Sequence, residues 1–454
     1  MGSALQATLT EGSVSRHLRA MAAPMVWGLL ATMSFNAVDT FFVAQLGDAQ
    51  LAAMSFTFPV VMVLTSIAIG LGAGTSSAVA RAIGSGDQET ARRFATDAIS
   101  LTSLIAISVC ALGWLTIEPL FTLLGATPEL LPVVRDYMEI WYIGAPFLMV
   151  PQVSLAALRA MGLSQVQGYL MGGAAILNAL LDPLLIFGLW GFPRLELQGA
   201  ALATLITRAL TMVVAFYVLH ARLGMLVNPL VGCRRVLRSW HAITKVGGPA
   251  MVTNVIIPLS SGVVVALVAQ HGTAAVAGFG VAARIEPLAL IVFYALSGVV
   301  GPFCGQNLGA GEYLRLQELL RVITRFCLGF GVLLALLLWV FGGALAALFS
   351  DSADVLPIAV AYLSVVPISY GAYGLVMSCN AAFNGLGLPH PGMMISFLRV
   401  IGVFLPLAWL GQSLWGLYGL FGAAALTNVL VGVMAYRWLK RSIHHLGSAS
   451  ATSG

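Results

Sequence analysis

The chain has 454 residues, of which 59% are hydrophobic and only 9% are Asp, Glu, Lys or Arg. Soluble domains carry about a quarter charged residues, so this composition and a mean hydropathy of +0.95 exclude a water-soluble protein. The formal net charge of +5 would indicate a nucleic-acid partner only if the basic residues formed a surface patch.

Apolar runs between polar breaks predict twelve transmembrane helices along the chain. Their approximate centres are residues 34, 65, 106, 147, 179, 209, 259, 291, 335, 370, 402 and 427. The first residues are polar and hold no apolar run of the signal-peptide kind, so we expect the first span to act as the insertion signal. The predicted fold class is an all-α integral membrane protein, because the runs are too long for membrane β-strands of about 10 residues.

The basic residues lie almost entirely in alternate loops. If the amino terminus is cytoplasmic, 17 of the 22 Lys and Arg residues lie on that side, two lie in outer loops and three lie inside spans. This bias predicts that both termini are cytoplasmic. The positive charge is then a topological signal, and we expect no nucleic-acid partner.

The second half of the chain repeats the first at an offset of 225 residues. VAQLG at 43–47 aligns with VAQHG at 268–272, and GSGD at 84–87 aligns with GAGE at 309–312. Near the end of each half the offset becomes 223, where GAALAT aligns with GAAALT. Each repeat holds six spans, an even number, which predicts two six-helix bundles related by a pseudo-two-fold axis along the membrane normal. Alternating-access transporters share this arrangement, and a duplicated scaffold without transport is the alternative.

The expected organisation has five parts. They are a cytoplasmic segment (1–20), a first six-helix lobe (21–221), a basic cytoplasmic linker (222–245), a second six-helix lobe (246–440) and a cytoplasmic tail (441–454). The linker carries a run of basic residues between the repeats, which places it on the cytoplasmic side.

Two carboxylates lie deep within predicted spans, and both are in the first repeat. Asp39 is in the first span and Asp182 is in the fifth, whereas their repeat partners are Val264 and Leu407. A charged carboxylate in the bilayer core costs at least about 2.5–3.5 kcal/mol on insertion scales, so such residues usually face a polar cavity and serve function. We therefore expect the chemistry of this protein in the first lobe.

Further polar groups are predicted at the depth of these carboxylates. Asn178 lies one helical turn before Asp182 and shares its face, and Pro183 lacks an N–H and so frees one backbone carbonyl nearby. Thr204 in the sixth span lies at a similar depth, with Ala200 one turn before it. An oxygen-rich pocket of this kind suits a hard monovalent cation or a shared proton. For the amide and the hydroxyl, hydrogen bonding between helices is the alternative role.

Other residues are weaker candidates. Flexible methionine and aromatic side chains suit varied cationic ligands, although core packing is the alternative for each. The candidate lining residues are Phe35, Tyr137, Gln152 and Met171. Four further charged residues have open roles, namely Arg208, Arg284, Glu286 and Arg399. Arg284 and Glu286 are two residues apart and do not share a helix face, so a structural partner elsewhere is favoured.

No motif for catalysis, a cofactor or a metal centre is evident. The sequence has no P-loop and no dinucleotide fingerprint, so neither ATP nor another cofactor is expected. The five cysteines lack disulfide or metal-ligand spacing and are expected to be packing thiols. An intramembrane aspartyl protease would also need two membrane carboxylates, but AVDTF and LLDPL do not match the GxGD context of such proteases. We expect that the protein is not an enzyme.

Several motifs resemble those of the multidrug and toxic compound extrusion (MATE) family, over nearly the whole chain from Pro24 to about Arg441. They are VDTFFVAQLG in the first span, ARAIGSGD after the second, LRAMG after the fourth, NALLDPLLIFG in the fifth, GAALAT in the sixth and ARIEPLAL in the eighth. The chain is most similar to the bacterial branch typified by DNA-damage-inducible protein F, which keeps its acidic residues in the N-terminal lobe. The other main branch places key carboxylates in spans seven and ten, where this chain has none.

The resemblance implies a secondary active exporter of amphipathic, often cationic, drugs or toxic compounds, in exchange for H⁺ or Na⁺. The implied proton site or Na⁺ ligand set is Asp39, Asn178, Asp182 and Thr204, with the Ala200 backbone as a further ligand. Pro24 matches the proline at which the first span bends, and Phe35 stands where a tyrosine is common in the branch. The implied protein is a monomer in the bacterial inner membrane.

A lipid-linked glycan flippase of the same superfamily is the alternative function. A flippase would need a cationic cavity for a pyrophosphate head group, whereas the central charges of this chain are mainly acidic. Arg208 and Arg399 are the residues that keep this alternative open.

Overall fold

The computed structural model describes residues 7–229 and 232–453, and every regular element in those ranges is a helix. This confirms the predicted all-α fold. The helices of the first half are α1 (Val14–Ala44), α2 (Asp48–Gly84), α3 (Gln88–Leu123), α4 (Leu131–Ile143), α5 (Ala145–Ala160), α6 (Ser164–Phe187) and α7 (Glu196–Tyr217). Those of the second half are α8 (Cys233–Ala269), α9 (Thr273–Ala289), α10 (Ile291–Gly309), α11 (Tyr313–Ala347), α12 (Leu356–Val365), α13 (Tyr370–Gly385), α14 (Pro389–Phe397) and α15 (Leu405–Ser453). Short π-helical segments follow α7 (Val218–Arg222) and α14 (Leu398–Phe404), and 3-10 segments follow α6 (Leu189–Gly191) and α12 (Val366–Ser369).

Breaks within apolar stretches reconcile these helices with the predicted spans. Among the described residues, ten helical stretches are long and apolar enough to cross a membrane. The number is eleven if the bent pair of α4 and α5 is counted as one further span. That pair meets at 41°, with a proline in the first turn of α5. The last stretch runs from Pro389 to Ser448, and non-helical backbone at Trp415 and Gly416 divides it in two. The stretches then correspond to the twelve predicted spans.

The turns repeat together with the sequence. Glycines with positive φ occur in four pairs 225 residues apart: Gly47 and Gly272, Gly86 and Gly311, Gly162 and Gly387, and Gly191 and Gly416. Glycine has no Cβ and so adopts this backbone conformation without strain. The internal repeat therefore extends from residue identity to the backbone of the turns.

Contacts divide the chain into two compact units. The first consists mainly of Ala23–Met251, and the second of Thr8–Ala22 and Val252–Gly454. Helix α1 therefore begins in the second unit and continues in the first, and α8 does the reverse. The predicted lobe boundaries stay predictions, but parts of the expected connecting segments are helical, because 14–20, 233–245 and 441–453 lie within α1, α8 and α15.

An arginine anchors the segment that precedes α1 and another anchors the segment that precedes α8. In the second unit, Arg315 donates to the carbonyl oxygens of Leu9 at 3.0 Å and Gly12 at 2.8 Å. In the first unit, Arg93 donates to the carbonyl oxygen of Asn228 at 2.8 Å. Each connecting segment is thereby fixed to a helix distant in sequence.

Two glycines bring α6 close to its neighbours α1 and α7. A Cβ at Gly168 on α6 would overlap the carbonyl oxygen of Pro24 on α1. A Cβ at Gly199 on α7 would lie 2.5 Å from the carbonyl oxygen of Leu185 on α6. Small residues at helix contacts allow backbones to approach closely, and here they let polar residues of three helices reach one region.

Candidate functional site

Asn178 and Asp182 lie one turn apart on α6 and are almost fully buried, with 1% and 0% of their surface exposed. With its nitrogen turned toward the carboxylate, the Asn178 amide donates to Asp182 Oδ2 at 2.9 Å and Oδ1 at 3.3 Å. Its oxygen then accepts from the backbone N–H of Thr204 at 3.2 Å. This orientation gives both ends of the amide a complementary partner, whereas the opposite one offers only Thr204 Oγ1 at 3.4 Å.

Thr204 and Ala200 belong to α7 and lie one turn apart, and Thr204 lies beside the Asn178 amide. Both are buried, and the hydrogen bond from Thr204 ties α7 to α6. The close approach at Gly199, immediately before Ala200, holds the same two helices together. The structure thus brings Asn178, Asp182 and Thr204 together, whereas a ligand role for the Ala200 backbone stays a prediction.

Asp39 adds α1 to this region. It is buried, and its Oδ1 has no hydrogen-bond partner among the described residues. Its charge lies within electrostatic range of Asp182, Arg208 and Tyr137. A buried polar atom without a partner has lost its hydration without compensation. A proton or a cation at this oxygen would supply the missing interaction.

Tyr137 and Trp141 form an aromatic pair on α4, and Tyr137 lies within electrostatic range of Asp39. The ring of Tyr137, which is buried, lies 6.4 Å from the ring of Trp141. The guanidinium carbon of Arg208 lies 5.1 Å from the centre of the Trp141 ring, which is a cation–π arrangement. The sequence left the role of Arg208 open and did not single out Trp141. A usable signal existed, because Arg208 lies one turn after Thr204 on α7.

Pro24, the predicted bending point, lies where α1 passes from the second unit to the first. The helix continues through Pro24, but this residue lacks the N–H that the carbonyl of Ala20 would otherwise accept. Its own carbonyl packs against Gly168. A missing helical bond beside a tight contact is consistent with a bending point, and the hinge role stays a prediction.

The remaining lining candidates lie on three helices. Met171 on α6 packs against α1, because a Cβ at Gly28 would lie 3.1 Å from Met171 Cβ. Phe35 is half-buried one turn before Asp39, so the two share a face of α1. Gln152 is half-buried on α5. Their roles in lining a substrate pocket stay predictions.

A second group of polar residues lies within the second unit. The hydroxyl of Tyr362 on α12 donates to Glu286 Oε2 on α9 at 2.8 Å. The guanidinium carbon of Arg399 lies 4.6 Å from the centre of the Tyr373 ring, within electrostatic range of Glu286. Arg399 belongs to the π-helical segment after α14, an irregularity that often occurs at functional sites. Arg284 is exposed, so it does not share the face of Glu286.

The polar groups of the site in the first unit are two carboxylates, an amide and a hydroxyl, and they include no thiol and no imidazole. Within residues 7–229 and 232–453, no three His, Cys, Asp or Glu side chains form a metal-binding group. Cys304, Cys327 and Cys379 are buried free thiols and Cys110 is a half-buried one, while the side chain of Cys233 lies outside the described set. Two carboxylates, an amide and a hydroxyl suit a proton or a hard monovalent cation.

Comparisons with known proteins agree with this architecture. The MatE family model matches residues 24–184 and 249–410, one match in each repeat. The chain is 41% identical to the FAD transporter of Shewanella oneidensis, over 95% of this chain and 96% of that protein. It is 22% identical to the multidrug export protein MepA of Staphylococcus saprophyticus, over 94% and 93%. The crystal structure of the Vibrio cholerae MATE transporter VcmN in the bent form matches with a TM-score of 0.90 and 33% identity, over 95% and 98%. The chain therefore belongs to the MATE family, and it is a multi-pass membrane transporter rather than an enzyme.

Proposed function

We propose that this protein is a secondary active exporter driven by inward movement of H⁺ or Na⁺. The driving ion binds the carboxylate site, which consists of Asp39, Asn178, Asp182 and Thr204. The observation that carries this proposal is the pair of buried carboxylates in one unit, with an unpartnered oxygen on Asp39. Two buried like charges repel each other, and a bound proton or cation relieves that repulsion. The repeat positions of both carboxylates hold aliphatic residues, so the twelve-helix scaffold does not itself require them.

The substrate that we propose is FAD or a related flavin nucleotide. The relative that is 41% identical over nearly the whole chain is named FAD transporter. FAD combines planar aromatic rings with an anionic diphosphate, and an arginine stacked on an aromatic side chain can interact with both. Each unit holds such a pair within its predicted spans, Arg208 on Trp141 in the first and Arg399 on Tyr373 in the second.

Amphipathic cationic drugs are the second candidate substrate class. MepA, at 22% identity, is named a multidrug export protein. Phe35 is half-buried one turn before Asp39, and Met171 is half-buried on the helix that carries Asp182. Such side chains adapt to varied ligands. None of the relatives described above carries a flippase name, and we do not propose that function.

In the proposed cycle, ion binding and substrate binding oppose each other. The ion enters from the outside and binds between Asp39 and Asp182, which lowers their combined negative charge by one. Helix α1 then bends at Pro24, and the substrate leaves. The protein then changes to an inward-facing state, which releases the ion to the cytoplasm. We propose that the protein is a monomer in the bacterial inner membrane. Both termini lie in the cytoplasm in this proposal, in agreement with the distribution of basic residues.

Transport in liposomes tests the driving ion and the substrate separately. Purified protein is reconstituted, a proton or a sodium gradient is imposed, and the movement of FAD or of ethidium is followed by fluorescence. We expect gradient-driven movement that Asp182→Asn abolishes, since an amide cannot replace an ionised carboxylate in binding a proton or a cation. Asp354→Asn, which makes the same change at an exposed position, should leave transport unchanged.

Each outcome addresses one part of the proposal. Wild-type transport by Asp182→Asn would refute the carboxylate site as the ion site. Movement of ethidium without FAD would refute the flavin substrate and support the second candidate. Absence of movement under both gradients would refute ion-driven export.

A further inference from the structure

A basic groove lies between α11 and the carboxyl-terminal part of α15, within the second unit. Its cavity has a volume of about 570 Å³. Four basic side chains line this cavity, and we call the cavity with these residues the basic groove. They are Arg321, Arg437, Lys440 and Arg441. The apolar residues Leu320 and Ile443, both buried, also line the cavity.

The cations of the basic groove have no acidic counterpart. Among the ion pairs formed within residues 7–229 and 232–453, none includes any of the four. Glu318 is the acidic residue nearest to Arg321 along α11, three positions away, but it is exposed and forms no ion pair with it. Like charges gathered around one cavity repel each other, and a bound anion would offset that repulsion.

An apolar, exposed surface of α15 leads directly to these cations. Residues 405–436 contain no charged side chain, and Arg437 is the first one. Leu430 and Val433 are 48% and 46% exposed, and they lie on the face of α15 that continues to Arg437 and Arg441. These four residues also line a second cavity beside the first. The surface therefore changes within about two helical turns from apolar to strongly basic.

The first repeat lacks this feature. At the offset of 223 residues, Arg437, Lys440 and Arg441 align with Val214, Tyr217 and Val218. The six-helix bundle therefore forms without basic residues at these positions. A topological signal requires basic residues on the cytoplasmic side, but it does not require them to gather around one cavity, as they do here.

We propose that the basic groove binds an anionic phospholipid. Arg437, Lys440 and Arg441 hold the phosphate, and the acyl chains lie along Leu430 and Val433. Charge-assisted hydrogen bonds from Arg and Lys to phosphate are strong, and basic pockets at the polar boundary of membrane helices hold lipid head groups. A free phosphate ion would interact with the cations but would leave the adjoining apolar surface uncovered.

Lipid binding to the purified full-length protein in detergent tests this proposal without any transport measurement. Native mass spectrometry compares phosphatidylglycerol with phosphatidylcholine, and inorganic phosphate is added as a competitor. We expect preferential binding of phosphatidylglycerol that equal amounts of inorganic phosphate do not displace. The variant Arg437→Gln/Lys440→Gln/Arg441→Gln should weaken that binding on the order of a hundredfold, from the usual contribution of basic residues near a membrane surface.

A matched control removes the same charge elsewhere. Arg234, Arg235 and Arg238 are exposed in the first turns of α8, and Arg234→Gln/Arg235→Gln/Arg238→Gln should retain wild-type lipid binding. Equal loss of phosphatidylglycerol binding in both triple variants would show nonspecific electrostatic attraction and would overturn the proposal. Unchanged binding by the groove variant would also overturn it. Displacement by inorganic phosphate would make the groove a phosphate site instead. If the groove variant fails to fold, Lys440→Gln against Arg238→Gln decides the question, with about fivefold loss expected only for Lys440→Gln.

Discussion

Gly168→Ala tests the contact between α1 and α6 on which the geometry of the carboxylate site depends. A Cβ at this position would overlap the carbonyl oxygen of Pro24 and lie 2.8 Å from its carbonyl carbon, whereas ordinary contact begins at 3.4 Å. Relief of the overlap with the carbonyl oxygen would require the two backbones to separate by about 1 Å. Overpacking of this kind costs about 1–3 kcal/mol, and the preference of a helix for alanine over glycine offsets about 0.5–1 kcal/mol of that cost.

We therefore expect Gly168→Ala to lower the free energy of unfolding by a net amount of up to about 2.5 kcal/mol. Because the overlap is at Pro24, the proposed bending point, gradient-driven transport should slow as well. Thermal unfolding of the purified protein in detergent measures the first effect, and initial rates in liposomes measure the second.

Gly172→Ala is the matched control for this substitution. Gly172 lies one turn further along α6, and a Cβ there has no atom within 4 Å. This variant should be as stable as the wild type or more stable by up to about 1 kcal/mol, with unchanged transport. If the two alanine variants behaved alike in both assays, the inferred contact between α1 and α6 would be wrong.

Two further substitutions test local interactions. Asp87 caps α3 by accepting a hydrogen bond from the Thr90 N–H at 3.0 Å. The hydrogen bonds from Thr90 hold the pKa of Asp87 below its ordinary value. Asp87→Ala should therefore lower the free energy of unfolding by about 1 kcal/mol at neutral pH. The pKa of Asp87 is lower in the folded state than in the unfolded state, so its contribution to stability is complete above the unfolded-state pKa and is lost as the pH falls through the folded-state pKa. A stability difference between Asp87→Ala and the wild type that persists at still lower pH would contradict this account. Tyr362→Phe removes the 2.8 Å hydrogen bond to Glu286 and should cost about 1–3 kcal/mol. Tyr418→Phe, at a position 63% exposed, should cost nothing measurable, and equal losses would show that the bond to Glu286 contributes little.

Much of the fold could be predicted because membrane spans obey a local rule. A long apolar stretch in lipid must satisfy its backbone hydrogen bonds internally, so a helix is its structural solution. The twelve spans follow from hydropathy even where the helices break, as at Trp415 and Gly416. The repeat was equally visible, because the turn glycines at Gly86 and Gly311 keep both their identity and their backbone conformation.

The carboxylate site was only partly predictable. The contact between Asn178 and Asp182 follows from their spacing on one helix. The spacing of Arg208 one turn after Thr204 indicates that it shares the face of Thr204. Its pairing with Trp141 joins α7 to α4, however, and no spacing in the sequence predicts that partner. The bond between Tyr362 and Glu286 joins α12 to α9 in the same way.

The sequence by itself determined which residues lie within the membrane and which share a face of their own helix, because both properties depend on neighbours along the chain. The tertiary structure decided which faces meet. Helix α6 approaches α1 at Gly168 and α7 at Gly199, and these two contacts bring Asp39 and Thr204 to the polar face of α6. Helix rotation and crossing depend on packing between side chains of distant segments, and that packing exists only in the folded protein.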